Sequence, residues 1–212
     1  MQIDVWSDVV CPWCYLGKRR LERALELLGD AGVGVVVRWR AFQLDPRATA
    51  TPGDLRTALE RKYGPGAFDA MTRRLGALGA AEGIDYRFDR ALRVGTADAH
   101  RLLAWAWHEG GAAAQGRLAE GLFAAYLTDG ANIADHATLV RLADDAGVVA
   151  DGLDAATVLE GDAYRAEVAA DVAAAAERDI TGVPAFVVAD GFVIPGAQEA
   201  ETLARLLGRV VA

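Results

Sequence analysis

Two cysteines, Cys11 and Cys14, stand in the run Asp8-Val9-Val10-Cys11-Pro12-Trp13-Cys14, and the chain holds no other thiol. That pair constrains the chain more than any other feature. A framework of several structural disulfides is excluded, and a C-x-x-C remains to be explained. Ile3, Val5 and the run to Val10 read as a first strand entering a turn. A helix is expected from about Pro12 to Leu28, closed by Gly29, with Leu21, Ala24, Leu25 and Leu28 on one face. The cysteines therefore fall where a strand hands over to a helix. Free backbone N–H groups and the positive dipole end favour a sulfur anion there. Pro12 suits the first helical position, because its missing N–H would have had no partner. Cys14 returns to the same side of the helix, close enough to form a disulfide.

The sulfurs are not expected to be equivalent. Cys14 continues the apolar stripe, whereas Cys11 is expected at the exposed helix tip. Cys11 is therefore read as the attacking nucleophile and Cys14 as the resolving thiol. Lys18 shares the helical face of Cys11, but about 10 Å down the axis, roughly one screening length in physiological salt. A zinc site is the weaker reading. Structural zinc takes four ligands, and beyond the cysteines only His100, His108, His136 and carboxylates are available, without paired spacing. No metal site is expected. Two ordinary core cysteines are the other alternative. Trp13 is read at the site rim rather than in the core.

Further along, Val33 to Phe42 is β-branched and reads as a second strand. Strand, helix, strand predicts a parallel pair with a crossover helix. Thr51-Pro52-Gly53-Asp54 looks like a helix start with Thr51 as cap, and that helix stops at Gly64-Pro65. Later helices carry Phe68, Met71, Leu75 and Leu78; Leu102, Leu103, Ala106 and Trp107, broken by Gly110-Gly111; Leu118, Leu122 and Tyr126; and Leu139, Leu142 and Ala146. An alanine-rich helix runs from about Asp162 to Asp179. No strand is expected in the helical block. Ala185 to Val188 and Phe192 to Ile194 flank Ala189-Asp190-Gly191 as a hairpin, and a helix bearing Leu203, Leu206, Leu207 and Val210 closes the chain. Ahead of the hairpin, Thr181-Gly182-Val183-Pro184 puts a proline at a strand entrance.

Read together, these segments resemble the DsbA-like thioredoxin superfamily, and within it the FrnE-like branch, which neighbours the 2-hydroxychromene-2-carboxylate isomerases. The resemblance rests on Asp8 through Lys18, on Phe42-Gln43-Leu44-Asp45-Pro46, and on Thr96-Ala97-Asp98-Ala99-His100-Arg101-Leu102. Leu122 through Tyr126, Gly182-Val183-Pro184 and Gly196-Ala197-Gln198 extend it over nearly the whole chain. It implies an α/β thioredoxin-like fold, a central mixed β-sheet flanked by helices, with a large inserted all-α domain. The expected division is a discontinuous thioredoxin-like domain of residues 1–45 and 166–212 around a helical domain of residues 46–165. The resemblance also implies dithiol catalysis and a cis peptide before Pro184, facing the dithiol. Pro12, Trp13, Val183 and Pro184 are then the expected substrate-binding residues, with the backbone of Val183 offered to an extended substrate. One departure is visible: Gly95 stands where asparagine is expected. His100 falls in a matched segment; it is read as a structural histidine of the helical domain, with a place over the cleft as the alternative. Asp8 either tunes the cysteines or caps a turn.

The expected activity is that of a thiol–disulfide oxidoreductase or isomerase. Alternatives are a glutathione-dependent isomerase or transferase of the kappa-class type, which places serine at the first active-site position, and a non-catalytic binding or chaperone role. No cofactor is expected beyond the redox-active Cys11–Cys14 pair, with glutathione as a candidate co-substrate. Partners are disulfide-containing proteins or small thiols. A net charge of −8 argues against nucleic acid and anionic membrane surfaces as partners. Oligomeric state is left open. The start of the chain reads as a strand rather than an export signal, and no stretch approaches the ~20 apolar residues that span a bilayer. The expected location is cytoplasmic. The cytosolic glutathione poise is about −220 to −320 mV against about −120 mV for a strong DsbA-type oxidant. Such a site would rest reduced there, which favours reduction or isomerisation.

Overall fold

A computed structural model of the chain describes residues 1–150, 152–188 and 191–211. Strand β1 (Gln2–Ser7) leads into helix α1 (Pro12–Leu27), and β2 (Val36–Ala41) returns parallel to β1. The chain then passes through a helical stretch. This contains α2 (Leu55–Tyr63), α3 (Ala67–Ala81), α4 (Ala97–Ala124), α5 (His136–Asp145), α6 (Ala155–Glu160) and α7 (Arg165–Glu177). Two-residue strands β3 (Gly53–Asp54) and β4 (Leu92–Arg93) pair antiparallel within it. The antiparallel hairpin β5 (Ala185–Val188) and β6 (Phe192–Pro195) follows, then α8 (Ala200–Val211). The main sheet runs β2-β1-β5-β6, with β1 and β5 antiparallel at its centre. This is the thioredoxin-like mixed sheet, carrying a large helical insertion between β2 and β5.

The expected strand–helix–strand unit is present, with the parallel register Gln2↔Val36 to Ser7↔Ala41. Gly29, at φ +53°, ends α1 in the left-handed region that glycine tolerates best. The second strand starts at Val36 rather than Val33, after a short 3-10 turn over Gly29–Gly32. Thr51 is not the cap of α2. Asp54 is, accepting a hydrogen bond from the Thr57 amide at 2.6 Å. Pairing of Gly53 and Asp54 with Arg93 and Leu92 draws the preceding backbone into a ladder, so the helix starts later. That ladder also corrects the expectation of a helical block without strands. The break at Gly110-Gly111 is a kink within α4, where Gly111 adopts φ +67°. Part of the predicted hairpin turn, Ala189 and Asp190, lies outside the described residues.

Among the described residues, edge strand β2 has no sheet neighbour beyond β1, and helix side chains take the place of one. The amide of Trp39 donates to Gln115 Oε1 at 2.8 Å, and Gln115 Nε2 donates back to the Trp39 carbonyl at 3.0 Å. The amide of Ala41 donates to Asp171 Oδ2 at 3.0 Å. These bonds satisfy an outward row of backbone groups that would otherwise lack partners. They also fix α4 and α7 against the sheet. Gln115→Leu would strand both Trp39 groups in a buried setting. The expected cost is about 2 kcal/mol or more, read as a lower urea midpoint at unchanged slope. An unchanged midpoint would contradict this account of the edge.

Candidate active site

The first strand ends at Ser7, and a tight turn follows in which the Cys11 amide donates to the Asp8 carbonyl at 2.9 Å. Cys11 is the N-cap residue of α1, in extended backbone, with Pro12 in the first helical position. The Cys11 carbonyl accepts from the amides of Cys14 at 3.0 Å and Tyr15 at 3.3 Å. Its side chain therefore stands at the mouth of the helix. No acidic residue occupies the first turn, so no side-chain charge there opposes the dipole. Facing it, the Cys11 thiol donates to the Val183 carbonyl at 3.8 Å, in the segment before β5. The Val183–Pro184 peptide is cis.

Both sulfurs are reduced, and both cysteines are buried. Cys11, at 4% exposure, is not the exposed tip expected from sequence. Val183 and the surrounding walls cover it, but it still lines a cleft of about 1120 Å³ together with Pro12, Trp13 and Val183. Cys14 is 0% exposed and is not part of the cleft wall. Burial pushes the Cys14 thiol well above its ordinary value near 9.0, and the hydrogen bond and charge of Cys11 push the same way. The Ser7 hydroxyl and the Asp8 backbone act on it in the opposite direction. Ser7 Oγ is buried and has no hydrogen-bond partner among the described residues.

Pro184 is buried, and its ring packs on α1. A Cβ placed on Gly17 would lie 2.8 Å from Pro184 Cγ and 3.3 Å from Phe186 Cζ. Glycine at this position lets α1 close on the segment that carries Val183. Trp13 is half-buried on the cleft wall, at the rim as expected. Lys18 does not serve Cys11. It is buried and held by Glu22 and Glu120, the latter at 2.7 Å. Arg19 and Tyr15 also bind Glu120, which ties α1 to α4.

Asp8 and His100 meet beneath the dithiol, with Asp8 Oδ1 and His100 Nε2 3.4 Å apart and both residues buried. The other Asp8 oxygen accepts from the Leu44 amide at 2.7 Å. Asp8 thus closes the turn with its backbone and anchors the exit of β2 with its side chain. His100, expected to bond within the helical region, instead reaches Asp8 with its ring, just past the end of β1. Nor does it line the cleft. Tyr86 was not visible as a site residue in the sequence. Its hydroxyl donates to the Pro12 carbonyl at 2.5 Å, and its ring stacks on Phe88. No motif marks it; it is one aromatic in an irregular segment.

The model of the DsbA-like thioredoxin domain matches residues 2–208. The chain belongs to the DsbA-like thioredoxin domain family. A probable DsbA oxidoreductase from Streptomyces coelicolor is similar at 36% identity and a TM-score of 0.88, covering 99% of this chain and 89% of that one. The Bacillus subtilis protein YwbO is 28% identical over 199 residues, which cover 93% of this chain and 90% of that protein. The cytosolic disulfide reductase DsbM from Pseudomonas aeruginosa shares the fold, with a TM-score of 0.72 at 20% identity over 99% of this chain and 98% of that one. Against the DsbA-like pattern, Gly95 has a local reason. A Cβ there would lie 2.8 Å from the Ala48 carbonyl oxygen, and the Gly95 amide donates to the Thr49 carbonyl at 2.8 Å. The segment following β2 lies too close for a side chain.

The Gly17 contact gives a direct check. Alanine in mid-helix gains up to about 1 kcal/mol in propensity, whereas overpacking a rigid contact costs about 1–3 kcal/mol. Gly17→Ala is therefore expected to lower the thermal midpoint. A raised midpoint would show that α1 and Pro184 are not in tight contact.

Proposed function

We propose that this protein is a thiol–disulfide oxidoreductase in which Cys11 attacks and Cys14 resolves. The observation that carries the reading is the placement of the two sulfurs. One stands at a helix mouth on the cleft wall, and the other is sealed one turn behind it. Membership of the DsbA-like family agrees with it. In the reductive direction the Cys11 thiolate attacks one sulfur of a substrate disulfide. A bond forms between Cys11 and that sulfur, and the other substrate sulfur leaves as a thiolate and takes up a proton. Cys14 then loses its proton, and its thiolate attacks the Cys11 sulfur. The mixed disulfide breaks and the second substrate thiolate departs. The protein is left with a Cys11–Cys14 disulfide, having given up two electrons. An external dithiol reductant returns it to the starting state. The backbone of Val183, whose carbonyl faces Cys11, lies alongside the bound segment, with Pro12 and Trp13 beside it.

The remaining assignments follow from this chemistry. We place the protein in the cytoplasm, where glutathione and thioredoxin keep thiols reduced. Disulfide reduction or isomerisation is the direction of work there, since a reducing thiol pool opposes net oxidation. The thioredoxin-like part is taken to comprise residues 1–45 and 166–212.

Insulin reduction under dithiothreitol tests the roles. The wild-type protein is expected to accelerate precipitation, Cys11→Ser to abolish the effect, and Cys14→Ser to accumulate a mixed disulfide at Cys11 seen by mass. Full activity in Cys11→Ser would defeat the proposal. The two steps should also separate by pH. Once Cys11 is in a mixed disulfide its charge is gone, but burial still holds Cys14 protonated. Reduced protein mixed with excess aromatic disulfide is expected to release thiol in two phases. The second should quicken about tenfold per pH unit through neutrality, as the thiolate fraction rises. A second phase indifferent to pH would remove Cys14 from the resolving role.

A further inference from the structure

The cleft beside Cys11 carries a charge pattern opposite to that of the chain as a whole. The protein has a net charge of −8, which should repel anionic substrates. Yet the cleft wall holds Arg47, Arg61, Lys62 and Arg93 against only Asp45 and Asp54. Asp45 is occupied by Arg93, at 2.6 Å. Asp54 is spent on the Thr57 amide at the start of α2. Arg47, Arg61 and Lys62 are exposed and form no ion pair among the described residues. A further cation lies on Trp13, between the two cysteines in sequence. The exposed Arg74 of α3 places its guanidinium 5.2 Å from the centre of the Trp13 ring, again with no carboxylate partner among the described residues.

These observations combine. An arginine stacked on an aromatic face is held in one plane, while its N–H edges stay free for a carboxylate. The rest of the wall is largely apolar, with Leu55, Leu59, Phe68 and Met71 contributing. A cleft of about 1120 Å³ is near the upper end of small-ligand sites. Low-dielectric walls focus the field of a few cations and raise the local concentration of an anion.

We infer that the cleft selects small, partly apolar disulfides whose sulfurs are flanked by carboxylates, with Arg74 on Trp13 gripping a carboxylate beside the reacting sulfur and Arg47, Arg61 and Lys62 drawing the remainder into the cleft. This inference rests on the dithiol reading above. The reaction is the one already balanced. The substrate disulfide takes the electron pair, two carboxylate-bearing thiols leave, and Cys11 and Cys14 become a disulfide. Charge selects the substrate and adds no step.

The test uses the reduced full-length protein without added reductant, so that each molecule turns over once. Two chromogenic disulfides are compared by stopped flow: dithiobis(nitrobenzoate), a dianion, and dithiodipyridine, which is uncharged at neutral pH. Each rate is divided by that of dithiothreitol with the same compound, which removes the difference in intrinsic reactivity. The normalised preference for the dianion is expected to be about tenfold or more. It should shrink as salt screens the cleft. Combining Arg61→Gln, Lys62→Gln and Arg74→Gln, all at exposed positions, should slow the dianion more than the neutral compound and so abolish the normalised preference. Equal normalised rates, or an equal loss on both compounds in the variant, would overturn the inference while the dithiol reading stands. Failure of the reduced protein to release thiol from both compounds would instead overturn the dithiol reading and this inference with it.

Discussion

Much of the site depends on one buried carboxylate. Asp8 follows the last residue of β1; its carbonyl shapes the turn that sets Cys11 at the helix mouth, and its side chain holds Leu44 and faces His100. The end of the first strand, the exit of the second and the start of α4 therefore converge on it. A carboxylate in such a place is costly unless hydrogen-bonded. Its bonds explain why three segments distant in sequence keep a common register under the dithiol. The Val183 segment joins them from the other side, admitted by the missing side chain of Gly17.

Local features of the site could be read directly from the sequence. The spacing of Cys11 and Cys14, the proline between them and the stripe through Leu21 and Ala24 specify a dithiol on a helix, one sulfur in front of the other. The β-α-β order and the closing hairpin follow from periodicity and turn residues. What stayed hidden depends on long-range partners. Tyr86 reaches Pro12 from an irregular segment, and His100 reaches Asp8 from another helix. The partner that holds Lys18, Glu120, sits on α4 and cannot be read from the spacing along α1. Thr51 looked like a helix cap because the β3–β4 ladder that displaces it joins residues far apart in sequence. The burial of Cys11 has the same origin, since the Val183 segment that faces it belongs to the far end of the chain.

The cysteines divide their work through environment rather than sequence. Cys11 gains the helix mouth and an opening to the cleft. Cys14 gains a sealed pocket in which its thiol resists ionisation, relieved by Ser7 and the Asp8 backbone. A buried resolving thiol stays silent until a mixed disulfide gives it a target. The arginines of α1 and of the cleft show a comparable contrast. Arg19 and Arg20 are bound into ion pairs that hold helices together, whereas Arg74 is left open on an aromatic ring.

The treatment of the sheet margins has a consequence for encounters with other chains. One margin, at β2, is closed by Gln115 and Asp171. The other, β6, is only four residues long and ends in Pro195, which has no amide hydrogen to offer. The β2 border is closed to a loose strand, and the β6 border offers it only a short ladder. Unfolded polypeptides, which carry many such strands, find little here to template on, and the protein is guarded against being drawn into their aggregates.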